Sequence, residues 1–155
     1  MNDSVNQPKF DPVTATPFLT SRGHPGWLGM RYADHGEDWV ELELPWREDL
    51  LGEEGQQVLA SGPILSLMDM ASGIAIWKAA DRFEPIATLD LRVDYVRPAR
   101  AGAAVFGRSQ CYRITRSAAF VRGLAHDGDA DDPVAHIQGV FMKISANVKR
   151  EVPGG

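Results

Sequence analysis

The stretch Ser61–Trp77, SGPILSLMDMASGIAIW, decides how this chain reads. It is apolar along almost its whole length and carries one acid, Asp69. Gly62 and Pro63 supply a helix start, because a proline in the first turn gives up an N–H that has no intrahelical partner there. Behind them Ile64, Leu65, Leu67, Met68, Ala71, Ile74, Ala75 and Ile76 cover most of the helix circumference. A helix apolar on all sides belongs in the centre of a domain or in a membrane. With Ser66, Asp69 and Ser72 inside, the segment falls short of the ~20 apolar residues of a bilayer span. It is predicted as the central helix of a soluble domain, with the Ser66 and Ser72 hydroxyls turned back on helix carbonyls. An ionised carboxylate in an apolar interior is costly unless paired, neutralised or used. Asp69 is therefore the first functional candidate.

The rest of the chain fits one domain around that helix. A length of 155 residues suits a single core, and 44% apolar with 24% charged residues is globular composition. The net charge of −5 argues against non-specific nucleic-acid binding. A lone cysteine, Cys111, rules out an internal disulfide framework and fits a reducing, cytoplasmic setting. The opening MNDSVNQPKFDPVTATP lacks the basic start and apolar core of a signal peptide. His24, His35 and His126 have no second ligand at metal-like spacing, so no metal is expected. No glycine-rich phosphate loop and no Gly-x-Ser-x-Gly elbow is present.

Strand periodicity fills the flanks. Leu28–Ala33 and Trp39–Leu44 are predicted strands, the second alternating Val40, Leu42 and Leu44 with Glu41 and Glu43. Pro45–Gln57 is an acidic loop leading to the helix. Beyond the helix come Thr88–Tyr95, Ala103–Ile114, Ala118–His126 and Val134–Ile144, joined by a bend at Arg97–Gly102 and turns at 115–117 and 128–133. Thr88–Tyr95 reads with Leu89, Leu91, Val93 and Tyr95 on one face and Thr88, Asp90, Arg92 and Asp94 on the other. The boundaries expected are an arm over 1–22, a domain over 23–147 and a tail over 148–155. The class is α+β, with about six antiparallel strands wrapped round one long helix.

That order, with LASGPILSLMDMASG (59–73) and ATLDLRVDYVRPARAG (87–102), resembles the hot-dog thioesterases, and within them the PaaI-like acyl-CoA thioesterases. The likeness runs from Pro45 to Ile144. It implies a hot-dog fold and hydrolysis of an acyl-CoA thioester, with coenzyme A entering as part of the substrate and no separate cofactor. In the family's register the catalytic acid falls at Asp69, the helix-start tripeptide at Ala60, Ser61 and Gly62, and a hydroxyl that contacts the water at Thr88. Two positions depart from the pattern: Ala60 stands where the motif has histidine, and Glu54, or Glu53 if the loop shifts by one, where it has asparagine. Asp131–His136 resembles the motif of hot-dog hydratases, but Pro133 follows Asp131 one position too early and the segment lies in the last hairpin, so hydration is rejected.

The chemistry that this resemblance implies needs an activated water or nucleophile, and donors for the oxyanion. Asp69 would serve the first as general base or nucleophile, while the backbone N–H groups of Ser61 and Gly62 at the helix N-terminus would serve the second. Eight residues of helix separate them, ~12 Å at ~1.5 Å per residue, so one helix cannot present both to one carbonyl. A second subunit is then required: a homodimer, with a dimer of dimers plausible. Arg97, Arg100 and Arg116 are candidates for the coenzyme A phosphates. The alternative reading is a hot-dog protein that binds acyl-CoA or an acyl chain without turnover.

Overall fold

The computed structural model describes residues 9–53 and 55–144. The apolar stretch forms a helix, Ser61–Ala80, that starts at the N-cap Ala60 and ends where Asp81 turns left-handed at φ 53°. Two short helices precede it, α1 (Pro12–Leu19) and α2 (Gly23–Trp27), so the central helix is α3. The strands are β1 (Arg31–His35), β2 (Trp39–Leu44), β3 (Ile86–Tyr95), β4 (Val105–Ile114), β5 (Ala118–His126) and β6 (Ala135–Lys143). They form one antiparallel sheet in the order β1-β2-β4-β5-β6-β3. This is the expected α+β hot-dog architecture, a sheet curled round a single long helix. None of the described helices is long and apolar enough to cross a membrane.

The alternation read from the sequence supplies the inner face. Val40, Leu42, Leu44, Val105, Val121, Ala125 and Ile137 meet Ile64, Leu67, Met68, Ala71 and Ile74 of α3, all of them buried. Each fully buried aliphatic side chain of this size contributes about 1.5–3 kcal/mol. The helix seats closely because β4 offers Gly107 beneath it: a Cβ there would lie 2.8 Å from Met68 Sδ and 2.9 Å from Leu67 Cγ. Inside this contact Ser72 does not bond a helix carbonyl as expected. Its Oγ pairs with Ser109 Oγ across the helix–sheet seam at 3.0 Å, so both buried hydroxyls are satisfied.

Strand β3 departs from its predicted alternation in a way that matters for the site. Thr88 pairs with Phe141 but Asp90 with the next residue, Val140, so Leu89 is the extra residue of a β-bulge. A bulge shifts the phase of the side chains beyond it. Thr88 therefore shares the helix-facing side with Leu91, whereas simple period two puts those residues on opposite faces. Leu89 is left 65% exposed.

The other differences lie at the ends. The arm expected over 1–22 is helical in its described part: Asp11 accepts from Val13 N–H at 3.1 Å and caps α1, whose Thr16 is buried. Asp-Pro at a helix start is a cap followed by a favoured first residue, and here it prevails over the neighbouring prolines. Strand β1 begins at Arg31, three residues late, because Leu28 is the C-cap of α2. Leu28 and Met30 are nonetheless buried, so the apolar pattern was one of core rather than strand.

Candidate functional site

Helix α3 turns its larger apolar side to the sheet and leaves a strip of Gly62, Ser66 and Asp69 on the other side, at i, i+4 and i+7. Asp69 is thus half-buried at the wall of a cavity, and the expectation of an acid sealed in the core is corrected. The cavity, about 440 Å³, is lined by His24 and Pro25 of α2, Met30, Leu65, Ser66, Asp69 and Met70, and Thr88 and Leu91 of β3. Most of this wall is apolar, with Ser66 and Asp69 of the helix, His24 of α2 and Thr88 of β3 as its polar groups. Thr88 Oγ1 donates to Asp69 Oδ1 at 2.6 Å. The bulge that re-aims Thr88 is what makes this bond possible. It occupies one carboxylate oxygen and leaves Oδ2 without a bond to a described residue.

A second hydroxyl lies one turn away. Ser66 Oγ is 2.9 Å from His24 Nε2, so Ser66 also departs from the expected bond to a helix carbonyl. His24 borders both the Asp69 cavity and a neighbouring one of about 380 Å³ at Ala60, Gly62 and Pro63. Ser61 opens instead onto a third cavity, about 400 Å³, with Val58, Ile64, Tyr95 and Arg97. There the Tyr95 hydroxyl donates to the Ser61 carbonyl at 2.8 Å, and burial raises the phenol's pKa, which keeps it a donor. Within one chain, then, Asp69 and Thr88 come together, while Ser61 and Gly62 stay two helical turns away. Ala60, in extended conformation, lends no side-chain cap.

The three arginines separate. Arg97 is committed internally: its guanidinium forks onto Asp127 at 2.8 and 2.9 Å and donates to the Asp132 carbonyl at 2.6 Å. The Asp127 side chain is only 2% exposed, and the Arg97 hydrogen bonds hold its carboxyl far below the usual range despite burial. Arg97 therefore fastens the β3–β4 bend to the β5–β6 turn rather than offering a free fork to phosphate. Arg100 joins the same cluster through its backbone N–H, 2.7 Å from Asp127 Oδ2, and through its guanidinium, which donates to the Asp127 carbonyl and lies 3.5 Å from Asp127 Oδ2, although the side chain is 67% exposed. Arg116 is exposed in the β4–β5 turn, at the other end of the sheet. Glu54 lies outside the described residues, and exposed Glu53 accepts from Gln56 Nε2 at 2.8 Å. Among the described residues no group of three His, Cys, Asp or Glu side chains gathers as a metal cluster.

His24 and Tyr95 are the site-lining residues the sequence reading missed. Nothing in local spacing ties residue 24 to residue 66, forty-two positions away. Tyr95 was visible only as one more apolar residue of an alternating strand.

This fold and site place the chain in a known group. It belongs to the thioesterase superfamily, whose family model matches residues 56–134. Among curated relatives, a putative esterase of Halobacterium salinarum is 30% identical over 86 residues, 54% of this chain and 57% of the relative. This chain thus spans less than two thirds of that protein. The medium/long-chain acyl-CoA thioesterase YigI of Escherichia coli is 28% identical over 113 residues, 64% of this chain and 72% of that one. Among solved structures, a Pseudomonas aeruginosa protein is 36% identical with a TM-score of 0.75, covering 84% of this chain and 96% of its own. The PaaI protein of the Escherichia coli phenylacetic acid degradation operon shares the fold at 16% identity and a TM-score of 0.69, over 83% of this chain and 88% of its own.

Proposed function

We propose that the protein hydrolyses acyl-CoA thioesters, with Asp69 as general base at a site shared between two copies of the chain. The observation that carries this reading is the Thr88–Asp69 hydrogen bond at 2.6 Å at the wall of the aliphatic cavity. One carboxylate oxygen is fixed and the other is left to take a proton from water. The water oxygen adds to the thioester carbonyl, and the charge on the carbonyl oxygen is met by free N–H groups at a helix N-terminus. As the tetrahedral intermediate collapses, the C–S bond breaks, its electron pair leaves on sulfur, and the proton held by Asp69 passes to the thiolate. The aliphatic wall and the named activity of YigI together favour a medium or long acyl chain.

The same geometry supports a second copy. Asp69 and the Gly62 N–H lie too far apart on one helix to share a carbonyl. Strand β3 pairs only with β6 in the described sheet, so its outer edge is open. Leu89, Tyr95 and Val96 on or beside that edge are 65%, 44% and 58% exposed, and Leu65 on the bare strip of α3 is 41% exposed. An open edge beside exposed apolar side chains suits a two-fold partner. Such a partner would bring its Ser61 and Gly62 to this chain's Asp69, with Arg100, exposed though held to Asp127, as the candidate for a coenzyme A phosphate. A dimer of dimers is compatible with this arrangement.

The test is free-thiol release from aromatic, short, medium and long acyl-CoAs by the wild type and Asp69→Asn. Turnover lost about a hundredfold or more in the variant supports the base. The bare Ala60 favours one other reading, a binding protein without turnover. Acyl-CoA bound equally by both proteins, with no thiol released, would select it.

A further inference from the structure

We infer that Ser66 is a second catalytic hydroxyl, holding the hydrolytic water against Asp69, and that His24 is the positioning residue that orients it. The inference rests on the thioesterase reading and adds two residues to it. Ser66 and Asp69 stand one turn apart on the same strip of α3, where side chains three apart are neighbours. Both line the same cavity, as does Thr88, which is bonded to Asp69.

A water that attacks a carbonyl must direct a lone pair at carbon, so both of its hydrogens need acceptors. Asp69 Oδ2 is one acceptor, since Oδ1 is held by Thr88. Ser66 Oγ is the other, provided its own hydrogen is engaged elsewhere. His24 Nε2, at 2.9 Å, accepts that hydrogen in the tautomer protonated at Nδ1 and leaves the oxygen's lone pairs to the cavity.

The competing use of a serine–histidine pair, Ser66 as nucleophile with His24 as its base, lacks a part. Such a base is oriented by a third group, and among the described residues no carboxylate holds His24 Nδ1. The pair therefore acts on the water and not on the acyl group. His24 is set by its backbone: its carbonyl accepts from Leu28 N–H at 3.0 Å, and its ring stacks beside Trp27, centroids 6.3 Å apart. The turn that links α1 to β1 thus reaches over α3 to the site.

The experiment measures kcat and KM with an acyl-CoA the wild type hydrolyses, for Ser66→Ala, His24→Ala, His24→Gln and the Ser66→Ala/His24→Ala double variant, beside Asp69→Asn. Ser66→Ala and His24→Ala should each lower kcat about tenfold with KM changed less than about twofold. His24→Gln, which places an amide near the position of Nε2, should recover most of the loss. The double variant should be no slower than Ser66→Ala, because His24 works only through Ser66. An active wild type, silenced by Asp69→Asn but unchanged by Ser66→Ala and His24→Ala, overturns this inference alone. So do losses that multiply in the double variant, or an effect confined to KM. A wild type with no turnover overturns it together with the reading beneath it. Should His24→Ala fail to fold, Ser66→Ala and His24→Gln still decide.

Discussion

Replacing Thr88 by valine removes one hydroxyl and almost nothing else. Valine keeps the β-branched shape of a strand residue, and Thr88 is exposed within its own chain, so the fold should lose no more than that one bond, about 1.5 kcal/mol. What is lost is a 2.6 Å bond from a neutral donor to a carboxylate. Hydrogen bonds to charged groups contribute about 1.5–3 kcal/mol, and each 1.36 kcal/mol is about tenfold in rate. Because solvent can reach Asp69 and replace part of the bond, the lower figure applies, and kcat should fall about tenfold. Thr88→Ser keeps the donor at the cost of a looser rotamer and should stay within about threefold of wild type. The assay is steady-state thiol release on a medium-chain acyl-CoA, with thermal melts run alongside. A Thr88→Val enzyme of unchanged kcat, or a Thr88→Ser enzyme as slow as Thr88→Val, would refute the idea that the bulge aims this hydroxyl at the base.

Four further outcomes follow from the packing, the ion pairs and the exposed edge. Asp127→Ala should destabilise the fold by about 2–4 kcal/mol in denaturant titrations, since it strands the Arg97 guanidinium and the Arg100 N–H. The Asp127 carboxyl lies well below its unfolded value of about 3.9, so its stabilisation is complete above that pH and fades as pH falls through and beneath it; Asp127→Asn should flatten this acid limb of stability. Gly107→Ala should cost about 1–3 kcal/mol through overlap with Leu67 and Met68, read as a lower denaturation midpoint at unchanged slope. Leu89→Asp should weaken self-association in sedimentation with little effect on the folded subunit, because the side chain is 65% exposed there.

Much of the fold was legible because period and length agreed. The helix is apolar round most of its circumference, the strands alternate, and the turns between them are short. The departures share one physical cause. The phase of β3 changes at Leu89, a bulge that propensity does not announce, and it moved Thr88 to the helix side. Asp69 was legible as the odd residue in an apolar run, but not its partial exposure, which depends on which side of α3 the sheet covers. Arg97 looks like any arginine in a bend until Asp127, thirty residues away, is folded beside it. His24 and Ser66 meet only through tertiary structure, so neither carries a mark in the sequence.

The shared site can be tested by mixing two inactive proteins. Asp69→Asn keeps the helix N-terminus and loses the base. Gly62→Pro keeps the base and loses an N–H donor, at a first-turn position where a Cβ has nothing within 4 Å. Each is first shown to be folded and inactive alone, then the two are unfolded and refolded together. Random pairing makes half of the dimers mixed, each with one intact site, so roughly a quarter of wild-type thiol release should return. No recovered activity from mixtures shown to contain the mixed dimer would contradict a site built from Asp69 of one copy and the helix N-terminus of the other.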